Sequence, residues 1–213
     1  MPLSVFDLDH TLLEVNSSFS FYVFLLRKRF FSIRTLAMTG SILAGYLCKI
    51  YSPYRLHEKI FERFLKGKKA DRLKELAFLF AQNICELLCP AAGARLREAE
   101  REGHYVLLLS NSPDFLVAPI AAQLGIDHFF GSSYIENSAG ALEQIAWQLD
   151  GRRKAEIMQK KARELGVPKE DVYAYSDSIW DLPFLEAAGK PCVVRGDRKL
   201  LKIAKSRGWE VIL

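Results

Sequence analysis

Cysteine is scarce in this sequence. The four, Cys48, Cys85, Cys89 and Cys192, form no CxxC pair and lie near no histidine at zinc-finger distance, which excludes a structural zinc site of the usual kinds. Cys85 and Cys89, four apart in a helix-like run, are expected as two buried free thiols. A cytoplasmic compartment fits that usage, and the first residues show no basic region leading into an apolar one, so no secretory signal is read there. Long hydrophobic runs are missing too. The longest uncharged stretch, Thr35 to Cys48, has fourteen residues. As a helix it would span roughly 21 Å, against a hydrocarbon core of about 30 Å. It reads as a buried helix, with a surface-seeking amphipathic segment as the alternative. Low-complexity segments and internal repeats are absent, which excludes disordered and collagen-like classes.

What is present is a chain of 213 residues, half of them hydrophobic, with a formal charge of +5. That length buries a sizeable core without a disulfide or metal staple. The charge is split. Residues 15–70 hold eleven Lys/Arg against Glu58 and Glu62, a net +9, which leaves −4 for the remainder, and the same segment holds eleven of the 25 aromatics. The average therefore hides two different pieces.

Short apolar runs at Leu3–Leu8, Tyr105–Leu109, His128–Ile135, Val172–Tyr175 and Cys192–Val194 predict five buried strands. Between them, helices are predicted over Ala91–Glu102, Pro113–Leu124, Arg152–Leu165, Leu182–Ala188 and Arg198–Arg207, several closed by a glycine. Residues 18–83 contain no convincing strand. Helices are predicted there from a Ser18 cap through Arg29, from Ser32 through Ile50, and from Ser52-Pro53 to near Gly67; another follows over Ala70–Leu88. The alternation argues an α/β fold, a Rossmann-like, mostly parallel sheet flanked by helices, with an inserted all-helical cap domain. The expected division is a core of residues 1–14 and 89–213 and a helical cap of residues 15–88.

In an open α/β sheet, ligands bind beyond the carboxyl ends of the strands. Strand one ends in Asp7-Leu8-Asp9-His10-Thr11, strand two in Ser110-Asn111-Ser112-Pro113, and strand four in Ser176-Asp177-Ser178 with Asp181 four residues on. Asp7, Asp9 and Asp177 would converge, and like charges that close call for a counter-ion. Mg²⁺, which takes a few protein oxygens together with water and phosphate, answers that need. Ser112 is expected as an N-cap before Pro113, leaving free N–H groups as an anion site. Lys154, opening the basic helix, adds a positive charge. Metal, anion site and lysine together fit a phosphoryl group. Asp7 is then the candidate nucleophile, and Asp9 the acid that protonates the leaving oxygen and afterwards the base that deprotonates water. Asp181 is read as a supporting carboxylate that can also cap a helix. His10 is expected to contribute backbone alone, and His57, His104 and His128 to be surface or interface residues.

These stretches, Val5-Phe6-Asp7-Leu8-Asp9-His10-Thr11-Leu12, Leu108-Leu109-Ser110-Asn111-Ser112, Lys154, and Tyr175-Ser176-Asp177-Ser178-Ile179-Trp180-Asp181-Leu182-Pro183, resemble the four motifs of the haloacid dehalogenase (HAD) superfamily. The sequence is most similar to the subfamily IB phosphoserine-phosphatase-like hydrolases, over essentially its whole length. The resemblance implies Mg²⁺ held by the Asp7 and Asp177 carboxylates and the Asp9 main-chain carbonyl. It implies phosphate held by Ser110, the Asn111 N–H and Lys154, with Asp181 supporting the metal waters or Lys154 from behind. Two departures stand out. The subfamily commonly has glycine where Ser176 stands. Phosphoserine phosphatases carry a glutamate seven residues after the second motif aspartate, where this chain has Asn16, which argues against free L-phosphoserine as substrate.

The function expected is a Mg²⁺-dependent phosphomonoester phosphatase acting through an aspartyl-phosphate. Its substrate is a small soluble phosphate ester or, given the basic and aromatic insertion, a lipid-like phosphate with peripheral membrane contact. The alternatives are a phosphotransferase on the same site, and a non-catalytic membrane- or phosphoprotein-binding module. No nucleic-acid recognition motif is present, and nucleic acid is not an expected partner.

Overall fold

The computed structural model describes residues 1–31 and 53–213. The helix expected from Ser32 through Ile50, the uncharged Thr35–Cys48 stretch and Cys48 fall outside the described residues.

A seven-stranded sheet organises the molecule. In chain order its strands are β1 (Leu3–Asp7), β2 (Tyr105–Pro113), β3 (Phe129–Glu136), β4 (Leu142–Trp147), β5 (Val172–Ser176), β6 (Lys190–Val194) and β7 (Glu210–Ile212). In space the order is β4-β3-β2-β1-β5-β6-β7, so β1 is central. Every pairing is parallel except β3–β4, an antiparallel hairpin at one edge. All five residues of β1 are buried. That is the signature of a strand covered on both faces, and it explains the continuous apolar run. Side chains alternate between the faces as the pleat requires. Phe6 and Leu108 enter one core, while Val5, Leu107 and Leu109 enter the other.

The helices are α1 (Ser17–Arg27), α2 (Pro53–Ile60), α3 (Ala70–Ala81), α4 (Pro90–Arg101), α5 (Asp114–Gln123), α6 (Gly151–Leu165), α7 (Leu182–Ala187) and α8 (Arg198–Arg207). Met158 of α6, Leu185 of α7 and Leu200 of α8 cover one face of the sheet, and Leu96 of α4 and Ile120 of α5 belong to the core on the other. The described part of the segment between β1 and β2 contains no strand of the sheet. It packs α3 against α5, and it is tied to the β3–β4 hairpin by main-chain hydrogen bonds from Gly67 N to Leu142 O (2.7 Å) and from Ala70 N to Gly140 O (3.0 Å). The chain leaves and re-enters the sheet region side by side, with Glu14 N donating to Leu87 O and Cys89 N to Leu12 O.

Several expectations are corrected. β4 and β7 carry no continuous apolar run because they are edge strands with one face in water. β4 reads Leu-Glu-Gln-Ile-Ala-Trp with its two polar residues exposed, and β7 is only three residues long. The helix expected over Ala70–Leu88 stops at Ala81, and Ile84–Leu87 form a separate tight turn. Cys85 is therefore exposed, while Cys89 and Cys192 are buried. The α1 cap is Asn16, whose Oδ1 accepts from Phe19 N at 2.9 Å, rather than Ser18. Ser112 caps nothing. It ends a strand, and α5 starts beyond Pro113 at Asp114. No helix among the described residues is long and apolar enough to cross a membrane.

Candidate active site

The carboxyl ends of β1, β2 and β5 meet the start of α6 at one edge of the sheet. There Lys154 is buried between two carboxylates. Its Nζ donates to Asp7 Oδ1 at 2.5 Å and to Asp181 Oδ2 at 2.7 Å. Ser176 Oγ donates to the same Asp181 oxygen at 2.7 Å. Serine at that position thus fixes the carboxylate that fixes the lysine, and Asp181 caps no helix with its side chain. Thr11 joins the remaining pair. Its hydroxyl lies 3.0 Å from Asp7 Oδ2 and 3.3 Å from Asp177 Oδ1, and it accepts from Asp177 N at 3.1 Å.

The approach of α6 to the Asp181 loop depends on a missing side chain. A Cβ on Gly151 would lie 2.3 Å from Trp180 O and 3.0 Å from Asp181 Cα, so only glycine lets the helix start sit this close. The Asp150 side chain caps the helix by accepting from Arg153 N at 2.9 Å. Lys154 follows one residue later, in the first turn, facing inward.

Asp9 is placed differently. Its Oδ1 accepts from Ser17 N at 2.6 Å and its Oδ2 from Ser112 Oγ at 2.7 Å. Ser112 has one proton and gives it to Asp9. Ser17 and Ser18, whose hydroxyls lie 3.0 Å and 2.7 Å away, must therefore donate to Ser112. Two serines of the insertion thus reach the site. Ser110 is fully buried, and its Oγ accepts from Ser112 N at 3.0 Å. Asn111 is held by Ser132, whose hydroxyl donates to its main-chain oxygen at 2.7 Å. His10, exposed and at φ 59°, makes the left-handed step of the turn that follows Asp9.

Electrostatics shows why these groups need company. Burial pushes Asp7 up to about 7 against the pull of Lys154. Burial, reinforced by Asp7 and Asp181, pushes Asp177 up to about 8. Burial also opposes the Lys154 charge, yet Asp181 and Asp7 outweigh it and raise its pKa above the ordinary lysine value. With all groups ionised, three carboxylates face one ammonium, an excess of two negative charges in a poorly hydrated place. The donors are all hard oxygens, and the deficit is that of a divalent cation. Among the described residues, no three acidic, histidine or cysteine side chains converge as a complete cage. Asp7 and Asp177 are hard oxygen donors of the kind that would suit an ion such as Mg²⁺, which keeps water and phosphate in its shell.

The candidate residues named from the sequence lie at the carboxyl ends of β1, β2 and β5 and the start of α6 in three hydrogen-bonded groups: Asp7, Lys154, Asp177 and Asp181 with Thr11; Asp9 and Ser110 with Ser112; and Asn111 with Ser132. The sequence assigned no role to Thr11, Ser17 or Ser132, and it made helix caps of Ser18 and Ser112, which neither is. Thr11 stood inside a quoted motif; the serines carried no signal, since a hydroxyl serves in almost any turn. It also missed Asp197, which accepts from Ile179 N at 2.6 Å and whose own N–H donates to Asp177 O at 2.9 Å, fixing the loop between Asp177 and Asp181. His57 is not a plain surface histidine: its ring stacks on Tyr134, and its Nε2 is hydrogen-bonded to the Tyr134 hydroxyl.

Residues 4–186 match the family model of haloacid dehalogenase-like hydrolases. A probable phosphatase of Mycobacterium tuberculosis is 31% identical over 215 residues, covering 97% of this chain and 73% of its own length. A histidinol-phosphatase of Neisseria meningitidis is 25% identical over 219 residues, covering 99% and 97%. Among solved structures, a substrate-bound phosphoserine phosphatase superposes with a TM-score of 0.70 at 20% identity over 99% of this chain and 92% of that one. That likeness concerns the fold.

Proposed function

The chain belongs to the haloacid dehalogenase-like hydrolase family and is a phosphatase, and from that premise we propose that it hydrolyses a phosphomonoester through a phosphoryl group carried on Asp7, with Mg²⁺ as cofactor. The observation that carries the reading is the Lys154 bridge between Asp7 and Asp181, with Asp177 joined to Asp7 through Thr11. It places the Asp7 carboxylate beside the buried Lys154 ammonium and, through Thr11, beside a second carboxylate that could share a cation with it.

Asp7 and Asp177, with the Asp9 main-chain oxygen, would hold the ion. When bound, Mg²⁺ supplies positive charge against the phosphoryl oxygens. Ser110, the Asn111 N–H and Lys154 bind and orient the phosphate. An Asp7 carboxylate oxygen attacks phosphorus, the bond to the ester oxygen breaks, and the Asp9 carboxyl gives its proton to that oxygen. Asp9, now a carboxylate, takes a proton from water. The resulting hydroxide attacks phosphorus, and the Asp7–phosphorus bond breaks to release phosphate. Asp181 and Ser176 hold the Lys154 ammonium in place throughout.

Residues 15–88 act in this reading as a helical cap over the site, and Ser17 and Ser18 are its contacts with the Asp9–Ser112 pair. The test is phosphate release from a panel of phosphate esters with and without Mg²⁺. Release that needs Mg²⁺ and is lost by more than about 10³-fold in a folded Asp7→Asn protein is expected for a lost nucleophile. Activity retained by Asp7→Asn overturns the mechanism.

A further inference from the structure

One cavity of about 70 Å³ lies between the insertion and the core, walled by Phe21, Tyr22, Leu25 and Phe64 on one side and by Phe115 and Tyr134 on the other. No Asp, Glu, Lys or Arg is among its described lining residues. Ser18 also lines it. Ser18 is hydrogen-bonded to Ser112, and Ser112 to Asp9. The cavity wall therefore begins two hydrogen bonds from the carboxylate that serves the leaving oxygen.

Three polar side chains of this wall are engaged in hydrogen bonds. Ser18 is engaged with Ser112, and His57 with Tyr134. Burial pushes His57 down to about 4 and raises the Tyr134 phenol well above its ordinary value, so both are neutral near pH 7. The rings interlock. Tyr22 and Phe64 have centroids 5.7 Å apart, and Phe61 and Phe115 lie 5.3 Å and 5.7 Å from Tyr134. Walls locked in this way are pre-formed and lose little entropy when a ligand enters.

Resting on the phosphatase reading above, we propose that this cavity receives the leaving group, and that the substrate is a phosphomonoester of an alcohol with an uncharged apolar body, alkyl or aryl, rather than of an amino acid. An ammonium or carboxylate placed here would lose its water and meet no opposite charge in the described wall. A hydrocarbon would lose only unfavourable hydration. An apolar cavity of about 150 Å³ holds benzene, so this space of about 70 Å³ takes the bulk of roughly two to three carbons.

The probes are n-alkylphosphonates from methyl to octyl, titrated calorimetrically into the Mg²⁺-supplied protein. Their carbon–phosphorus bond is not an ester, so binding is read without turnover. The dissociation constant is expected to fall about fourfold per methylene, levelling off at roughly two to three carbons. 2-Aminoethylphosphonate is expected to bind at least about tenfold more weakly than propylphosphonate. Ile60 also lines the cavity, and Ile60→Phe, which narrows it, should move the plateau to shorter chains, whereas mere structural damage would weaken all lengths alike. A dissociation constant indifferent to chain length, or tighter binding of the amine, overturns the proposal. Phosphate release, scored separately, keeps the two readings apart. Release with no chain-length dependence removes the apolar cavity and keeps the phosphatase. Chain-length dependence with no release from any ester keeps the ligand class and removes the hydrolytic step.

Discussion

The edge around Asp7 and the cavity around Phe64 are neighbours built on opposite principles. At the first, Asp7, Lys154 and Asp181 are buried in direct hydrogen bonds, and half-buried Asp177 is joined to Asp7 through Thr11. Removing Lys154 leaves two buried carboxylates without their cation. At the second, the described wall is nearly free of charge and held by ring packing, where a change of size is felt but no charge is stranded. The difference teaches where each property of the enzyme is set. The charged edge fixes which bond is broken. The apolar cavity fixes which alcohol leaves.

Breaking the charged region should therefore be far costlier than reshaping the apolar one. Lys154→Met makes the first region resemble the second. It leaves Asp7 and Asp181 buried without their cation, and a loss of about 3–5 kcal/mol in unfolding free energy is expected in metal-free protein at neutral pH, read from denaturant melts. A loss no larger than that of a cavity-wall variant would erase the distinction.

A smaller and reversible effect comes from pH. Asp7 and Asp177 are raised in the folded state to about 7 and about 8, from an ordinary aspartate value of 3.8. The folded chain thus binds more protons than the unfolded chain between about pH 4 and pH 8, and stability falls as pH rises through that window. Below it the contribution is fully present and flat. Mg²⁺ competes with those protons, so it should raise the melting temperature more at pH 8 than at pH 5. Equal shifts at both values would mean that the ion does not meet these carboxylates. His57 in the apolar wall, pushed down from 6.5 to about 4, works the other way: there the unfolded chain binds the extra proton, and this contribution rises between about pH 4 and pH 6.5.

The two regions were also unequally legible in the sequence. Strands covered on both faces, such as Leu3–Asp7, announce themselves as unbroken apolar runs, and the carboxylates at their ends stand where a parallel sheet places its ligands. The edge strands Leu142–Trp147 and Glu210–Ile212 were illegible because half of each faces water. Hydroxyl partners were illegible for another reason. Ser18 and Asn16 are equally good caps by type, and only the folded chain gives the cap to Asn16 and sends Ser18 to Ser112. The cavity is assembled from residues as far apart as Phe21 and Tyr134, so the aromatic excess of residues 15–70 signalled that something apolar was being built without saying around what. Serine in place of glycine at 176 looked like a departure, and it proves to be a hydrogen-bond donor to Asp181.

The central claim is that Asp7 carries the phosphoryl group. It is tested most directly by acid-quenching the Mg²⁺-supplied protein during turnover of a phosphate ester and locating the phosphoryl adduct by peptide mass spectrometry. The account predicts an acid-trapped, hydroxylamine-labile phosphoryl group on the peptide bearing Asp7, absent in Asp7→Asn. An adduct on another residue, or steady phosphate release with none on that peptide, would contradict it.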